Sequence, residues 1–286
     1  MAEKIIITSD STTDLSPELR ERYGVQLMRL GVSLNEKDYI DGLDITPEMI
    51  YENYRVNKTL PKTSAPNLEE CSEFFRQYVE QGYSVIHFTI SSEMSSTYQN
   101  SYIAAQDFEN VHVVDTRNLS TGGGLLVIRA AELAQAGEMS AAEIAQHCRD
   151  LAPYVDASFV IDSLEFLHKG GRCSGVAMLG ANLMNFKPCI IVKDGAMTVG
   201  KKYRGRFDGV LLKYIADRIG DGSDILPDHV FITHAGCEPE VVEACVEKLK
   251  TLGEFGEIHV TRAGCTVSSH CGRNTLGVLF LRTHEI

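Results

Sequence analysis

Hydrophobic positions along this chain follow two rhythms. In the first half, short β-branched runs at residues 4–8, 25–34, 84–90 and 111–115 predict strands. Between them the apolar residues return at helical spacing: Cys71, Phe74, Phe75, Tyr78 and Val79 fall on one face of a helix that Gly82 stops. Start signals agree with this reading. Thr46 precedes Pro47 at a first helical position, and Asn67 with Glu70 and Ser140 with Glu143 have the spacing of capping boxes. Ser95 or a neighbour opens a further helix, and Gly122-Gly123-Gly124 lead into one over residues 125–136. Strands alternating with helices predict a largely parallel sheet covered by helices.

The second half has another order. Residues 189–193 and 197–203 flank Asp194-Gly195, the dipeptide of a tight hairpin. Helices over 208–219 and 239–252 and strands at 230–233, 257–261 and 276–282 follow, which suggests a mixed sheet. The fold class expected is therefore α/β: two α/β domains, the first with a mainly parallel sheet, the second with a mixed one. The boundary is placed near residues 156–164, giving domains of 1–158 and 159–286 that pack closely, because no low-complexity linker separates them.

Composition narrows the function. A net charge of −12 disfavours nucleic acid and anionic membrane surfaces as partners. The eight cysteines contain no C-x-x-C and sit in apolar segments, which points to reduced, buried thiols. The N-terminus has no signal-peptide pattern and no apolar run spans a bilayer, so a cytoplasmic protein without stable membrane insertion is expected.

The unusual feature is hydroxyl clustering beyond the strand-like runs: Thr63-Ser64, then Ser91-Ser92 with Ser95-Ser96-Thr97, then Thr116, Ser120 and Thr121. Ser and Thr are also ordinary helix caps. Several clusters on one edge of an open α/β sheet, where ligands bind, nonetheless make an anion site. No G-x-x-x-x-G-K-[ST] is present, and hydroxyls with backbone N–H groups suit a single carboxylate better than a polyphosphate. No G-x-S-x-G elbow marks Ser95 as a nucleophile. His270 is either a ligand contact or an ordinary hydrogen-bonded residue. With Cys265 and Cys271 it lacks zinc-ligand spacing, so no metal is expected. Two basic stretches, His168-Lys169-Gly170-Gly171-Arg172 and residues 201–206, are either solvated runs or docking surfaces for an acidic or anionic partner.

Together these motifs resemble the DegV family. The resemblance runs from Ser9-Asp10-Ser11-Thr12 to Gly277, through Thr63-Ser64-Ala65-Pro66-Asn67, Ser91-Ser92-Glu93-Met94-Ser95-Ser96-Thr97-Tyr98, Lys169-Gly170-Gly171-Arg172 and Lys187-Pro188. It implies a lipid pocket between two domains that holds a long-chain fatty acid. The carboxylate would be held at Thr63 and Ser95, with Ser64, Ser96 and His270 beside them. It further implies a non-catalytic carrier, without cofactor, that presents the acyl carboxylate to a separate fatty acid kinase for phospholipid synthesis. Arg172, Lys202 and Arg204 are then candidates for kinase or acyl-phosphate contact.

Ala65, Ser96 and Arg273 depart from the family's Gln, Gly and Pro, which bears on head-group geometry more than on fold. An acyl tail would be lined by Met178, Leu179, Leu183, Met184 and Phe186, residues that equally suit core packing. The rival readings are a hydrolase or phosphotransferase using the same hydroxyls, and a lipid-sensing regulatory module.

Overall fold

The structure, a computed structural model, describes residues 3–173 and 186–286. In chain order, the first half contains β1 (Ile5–Asp10), α1 (Pro17–Tyr23), β2 (Gln26–Met28), β3 (Gly31–Leu34), β4 (Lys37–Ile40), α2 (Pro47–Asn57), β5 (Lys62–Ser64), α3 (Leu68–Val79), β6 (Ser84–Thr89), α4 (Thr97–Ala105), β7 (Val111–Asp115), α5 (Thr121–Ala136) and α6 (Ala141–Leu151). The second half contains β8 (Val155–Ile161), α7 (Glu165–Gly170), β9 (Phe186–Lys193), β10 (Ala196–Arg204), α8 (Phe207–Ile219), β11 (Ile225–Ala235), α9 (Pro239–Lys250), β12 (Glu257–Arg262), α10 (Cys265–Cys271) and β13 (Thr275–Arg282).

The fold class expected from the sequence is the one observed. The first sheet is parallel throughout, in the order β2-β1-β6-β7. The second is mixed, β10-β9-β8-β13-β11-β12, with β11 and β12 parallel and the other pairs antiparallel. The chain enters the second sheet at Val155, so a division at 158/159 runs through β8. Both capping boxes form, at Asn67 and Ser140.

Two local readings change. Residues 25–34 are two strands in different sheets, not one. β3 joins β4 and β5 in a small third sheet, through a two-residue turn at Asn35-Glu36 with φ of 51° and 62°. That is hairpin geometry without the Gly that normally announces it. Gly122, Gly123 and Gly124 lie inside α5 rather than before it, and all three are buried.

α5 lies between the two large sheets, touching β1 and β6 on one side and β8, β11 and β13 on the other. Leu125, Leu126, Val127 and Ile128 are consecutive and all buried, the pattern of a helix enclosed on every side. Each such side chain contributes about 1.5–3 kcal/mol. The glycines allow the close approach: a Cβ on Gly124 would sit 2.9 Å from Leu15 Cδ2 and 3.1 Å from the Thr13 carbonyl. In β13 the side chains alternate. Leu276, Val278 and Phe280 pack under α8 and α9, while Leu279 faces the shared core. Gly277 faces the same way as Leu279, and a Cβ there would meet the Ser158 carbonyl at 2.7 Å.

All eight cysteines are buried and none forms a disulfide. No helix among the described residues is long and apolar enough to cross a membrane.

Candidate functional site

Between the carboxyl ends of the parallel strands and the inner face of the mixed sheet lies a cavity of about 440 Å³, within the range of small-molecule sites. β5 delivers Thr63 and Ser64, and the loop after β6 delivers Met94, Ser95 and Ser96. The loop after β7 supplies Leu119 and Ser120, and α10 supplies Thr266 and His270. Apolar walls come from Leu119, Phe159, Leu167, Met197 and Leu279. The five hydroxyl and imidazole residues predicted to hold a carboxylate all line this one cavity. Of the segment 176–186 predicted as the acyl wall, Met178, Leu179, Leu183 and Met184 lie outside the described residues. Phe186 opens β9 and is exposed.

Thr63 Oγ1 and His270 Nε2 are 2.9 Å apart although 207 residues separate them. His270 Nδ1 is buried and has no hydrogen-bond partner among the described residues. Burial, with Arg172 second, depresses the imidazole pKa to about 4, so the ring is neutral at neutral pH. A buried N–H left unpaired is the costlier orphan, which favours a proton on Nε2 donated to Thr63 Oγ1. The Thr63 hydroxyl proton is then free for a ligand. Ser95 is similar: its Oγ accepts from Thr97 N at 3.2 Å and lies 2.8 Å from Thr97 Oγ1. With Thr97 as donor, the Ser95 O–H is free. Ser96 occupies the cap position of α4 without a side-chain cap bond. Among the described residues the partners of Ser95 Oγ are groups of Thr97, and none is a base.

Electrostatics favour an anion. Among the described residues lining the cavity, Arg172 is the only fixed positive charge and no carboxylate is present. Arg172 is exposed, with Nη1 donating to the Gly170 carbonyl at 2.8 Å. The sequence grouped it with Lys202 and Arg204, and the structure separates them. Lys202 is exposed on β10, which is an edge strand, and Arg204 lines a second hollow with Lys187 and Arg206. Arg273 is not in the cavity either; it donates to Glu238 Oε1 at 2.8 Å and to the Gly236 carbonyl at 3.2 Å.

Sequence reasoning gave no role to the carboxylates that place these groups. Asp10 Oδ2 accepts from Ile90 N at 2.7 Å and Oδ1 from Thr12, which fixes the start of the hydroxyl loop. Asp14 accepts from Gly264 N (2.7 Å) and Ser120 Oγ (2.5 Å). Asp41 accepts from Cys265 N, Thr266 N, Thr266 Oγ1 and Ser11 Oγ. Asp14 and Asp41 thus meet the unpaired amides at the N-terminus of α10 and aim that helix, with His270 at its far end, at Thr63. Burial raises Asp10 to about 6 and Asp14 to about 8. The Ser9-Asp10-Ser11-Thr12 motif was the available signal. Asp41 had none.

Comparison with known proteins places the chain in a family. Residues 4–283 match the family model described as uncharacterised proteins of the DegV family. A DegV domain-containing protein of Caldanaerobacter subterraneus is 31% identical, covering 97% of this chain and 99% of its own. A solved DegV family protein from Thermus thermophilus, described for its fatty acid binding, superposes with a TM-score of 0.88 at 30% identity, covering 98% of this chain and 99% of that one. A stearic acid-binding protein from Eubacterium ventriosum gives 0.82 at 27% identity, covering 98% of each.

Proposed function

This chain belongs to the DegV family, and from that premise we propose that it binds a long-chain fatty acid in the cavity between its two sheets. The observation that carries the reading is the cavity's polarity. Its walls are largely apolar, and its polar lining includes Thr63, Ser95, His270 and Arg172 with no carboxylate among the described lining residues. The tail gains about 0.8 kcal/mol per buried CH₂, so it dominates affinity, and the hydroxyls select a carboxylate end. The solved Thermus thermophilus and Eubacterium ventriosum relatives, described as binding fatty acid and stearic acid, support the same ligand class.

Presentation to a separate fatty acid kinase is the finer part of the proposal. The protein is then a carrier without cofactor, and its ligand leaves as acyl phosphate. In this reading Arg172, which lines the cavity, meets the head group, and Lys202 and Arg204, exposed on β10, meet the partner. Organic extraction of tag-free protein followed by mass spectrometry tests the binding reading. A near-stoichiometric fatty acid supports it. An empty extract from protein that also takes up no added fatty acid overturns it. The kinase step is tested by adding such a kinase and ATP to loaded protein. Acyl phosphate should form, and Lys202→Ala with Arg204→Ala should slow its formation without reducing fatty-acid retention.

A further inference from the structure

At the opposite end of α5 from the cavity, two imidazoles and a carboxylate converge where neither the motifs nor the lipid site accounts for them. β11 and β12 pair in parallel with His229 opposite Glu257 and Phe231 opposite His259. The pairing and the alternation of the pleat put His229, Glu257 and His259 on one face. His229 Nδ1 and His259 Nε2 are 3.0 Å apart. His259 Nε2 lies 3.9 Å from Glu257 Oε2, and all three ligand atoms fall within 4.8 Å of one another. A tetrahedral ion with bonds of roughly 2.0–2.1 Å needs ligand atoms about 3.3 Å apart, which small rotations of these side chains supply.

The outer partners fit as well. His229 Nε2 is 2.9 Å from Glu132 Oε1 on α5. That leaves Nδ1 as the bare, electron-rich nitrogen of a carboxylate–histidine pair, the arrangement that orients metal-bound imidazole. One proton, on His259 Nε2, then lies between the two rings. A metal ion replaces it when His259 moves its proton to Nδ1. Glu257 is already positioned by a bidentate bond from Arg22 on α1, both contacts at 2.6 Å.

We propose that His229, His259 and Glu257 form a binding site for one divalent cation of the zinc class, with Glu132 as the positioning carboxylate. Imidazole with carboxylate suits zinc and its neighbours, and three protein ligands leave one position open. The site is separate from the lipid site: His229 precedes cavity-lining Thr233 by four residues, about 13 Å of strand. Bound metal ties the edge of the mixed sheet to α5, and through Arg22 to α1.

The test uses the full chain, stripped with chelator and titrated with zinc against a chromogenic chelator, then with cobalt as a spectroscopic probe. The expected result is one zinc per chain. Affinity should fall at least tenfold in His259→Gln and in Glu257→Gln, and about tenfold to a hundredfold in Glu132→Gln. Arg22→Gln, which removes the group that positions Glu257, should weaken binding about twofold to fivefold. This variant keeps the test decisive if the histidine variant misfolds. Cobalt should give the visible bands of a four-coordinate nitrogen–oxygen site. Absence of saturable binding overturns the proposal. So does binding that is indifferent to all four substitutions, or a thiolate-to-cobalt charge-transfer band, which would assign the metal to cysteine.

Discussion

The two ends of α10 carry opposite kinds of polar cluster, about 10 Å apart. At the amino end, Asp14 and Asp41 are buried, and their oxygens are met by backbone amides and hydroxyls. At the carboxyl end, His270 Nδ1 has no partner among the described residues, and the Thr63 hydroxyl that the ring meets borders the cavity. The first cluster is closed on itself and holds structure. The second is left incomplete beside a cavity, next to a cation, and is the one suited to a ligand. Polar residues at the two ends of one helix thus separate by whether their hydrogen bonds are already made.

The sharpest way to break this contrast is Asp41→Ala. It leaves amides at the start of α10 buried and unpaired, each costing about 1–3 kcal/mol, so a loss of roughly 3 kcal/mol or more is expected in denaturant titration of delipidated protein. A loss below 1 kcal/mol would mean that this end of the helix is not held as described.

Next come Thr63→Val and Ser95→Ala. Each removes a hydrogen bond to a charged group, worth about 1.5–3 kcal/mol, so fatty-acid affinity should drop about tenfold to a hundredfold. Ser95→Ala should leave stability of the empty protein nearly constant, whereas Thr63→Val also takes the acceptor from the His270 N–H and should cost about 1–3 kcal/mol. A loss of stability in Ser95→Ala equal to its loss of affinity would erase the distinction between the two ends.

The third test is pH. Asp14 and Asp10 have folded pKa values raised to about 8 and about 6 by burial, above the ordinary value near 3.8. The folded state therefore binds more protons than the unfolded one between these limits. Their contribution is complete below about pH 4 and is lost as pH rises through 6 and 8. Stability should decline across this window, with a slope approaching about 1.4 kcal/mol per pH unit where one group titrates. Asp14→Asn should flatten the upper part of the decline, between about pH 6 and 8, and an unchanged slope there would show that Asp14 is not the titrating group.

The smallest effect is expected from Gly170→Ala. Its Cβ would stand 2.6 Å from His270 Nδ1, so the ring must shift by a fraction of an ångström. Affinity should fall by about threefold to tenfold, less than for either hydroxyl; no change would show that the ring position is not critical.

Much of the candidate site was legible because its parts are local. Ser95-Ser96 stand between a strand and a helix, a place that lies at the ligand-binding edge of an α/β sheet, and Thr63-Ser64 end β5 shortly before α3. Other parts were misread for equally local reasons. The Gly122–Gly124 run looked like a loop before a helix; only the flanking sheets show that it lets α5 pack closely. Asn35-Glu36 carries no glycine, so the third sheet and the strand holding Thr63 had no turn signal. Residues 265–271 carried no helix signal and form α10, because its amino end is met by Asp14 and Asp41 from far along the chain rather than by a neighbour.

The sequence by itself determined the succession of strands and helices, the change from a parallel to a mixed sheet, and the resemblance to a family. All of these follow from periodicity, caps and motifs that act within a few residues. Tertiary structure decided which polar groups meet. Thr63 finds His270 across 207 residues, Gly264 finds Asp14 across 250, and His229 finds His259 across 30 by strand register. It also decided their charge states, because burial, which no local pattern specifies, lowers the pKa of His270 and raises that of Asp14.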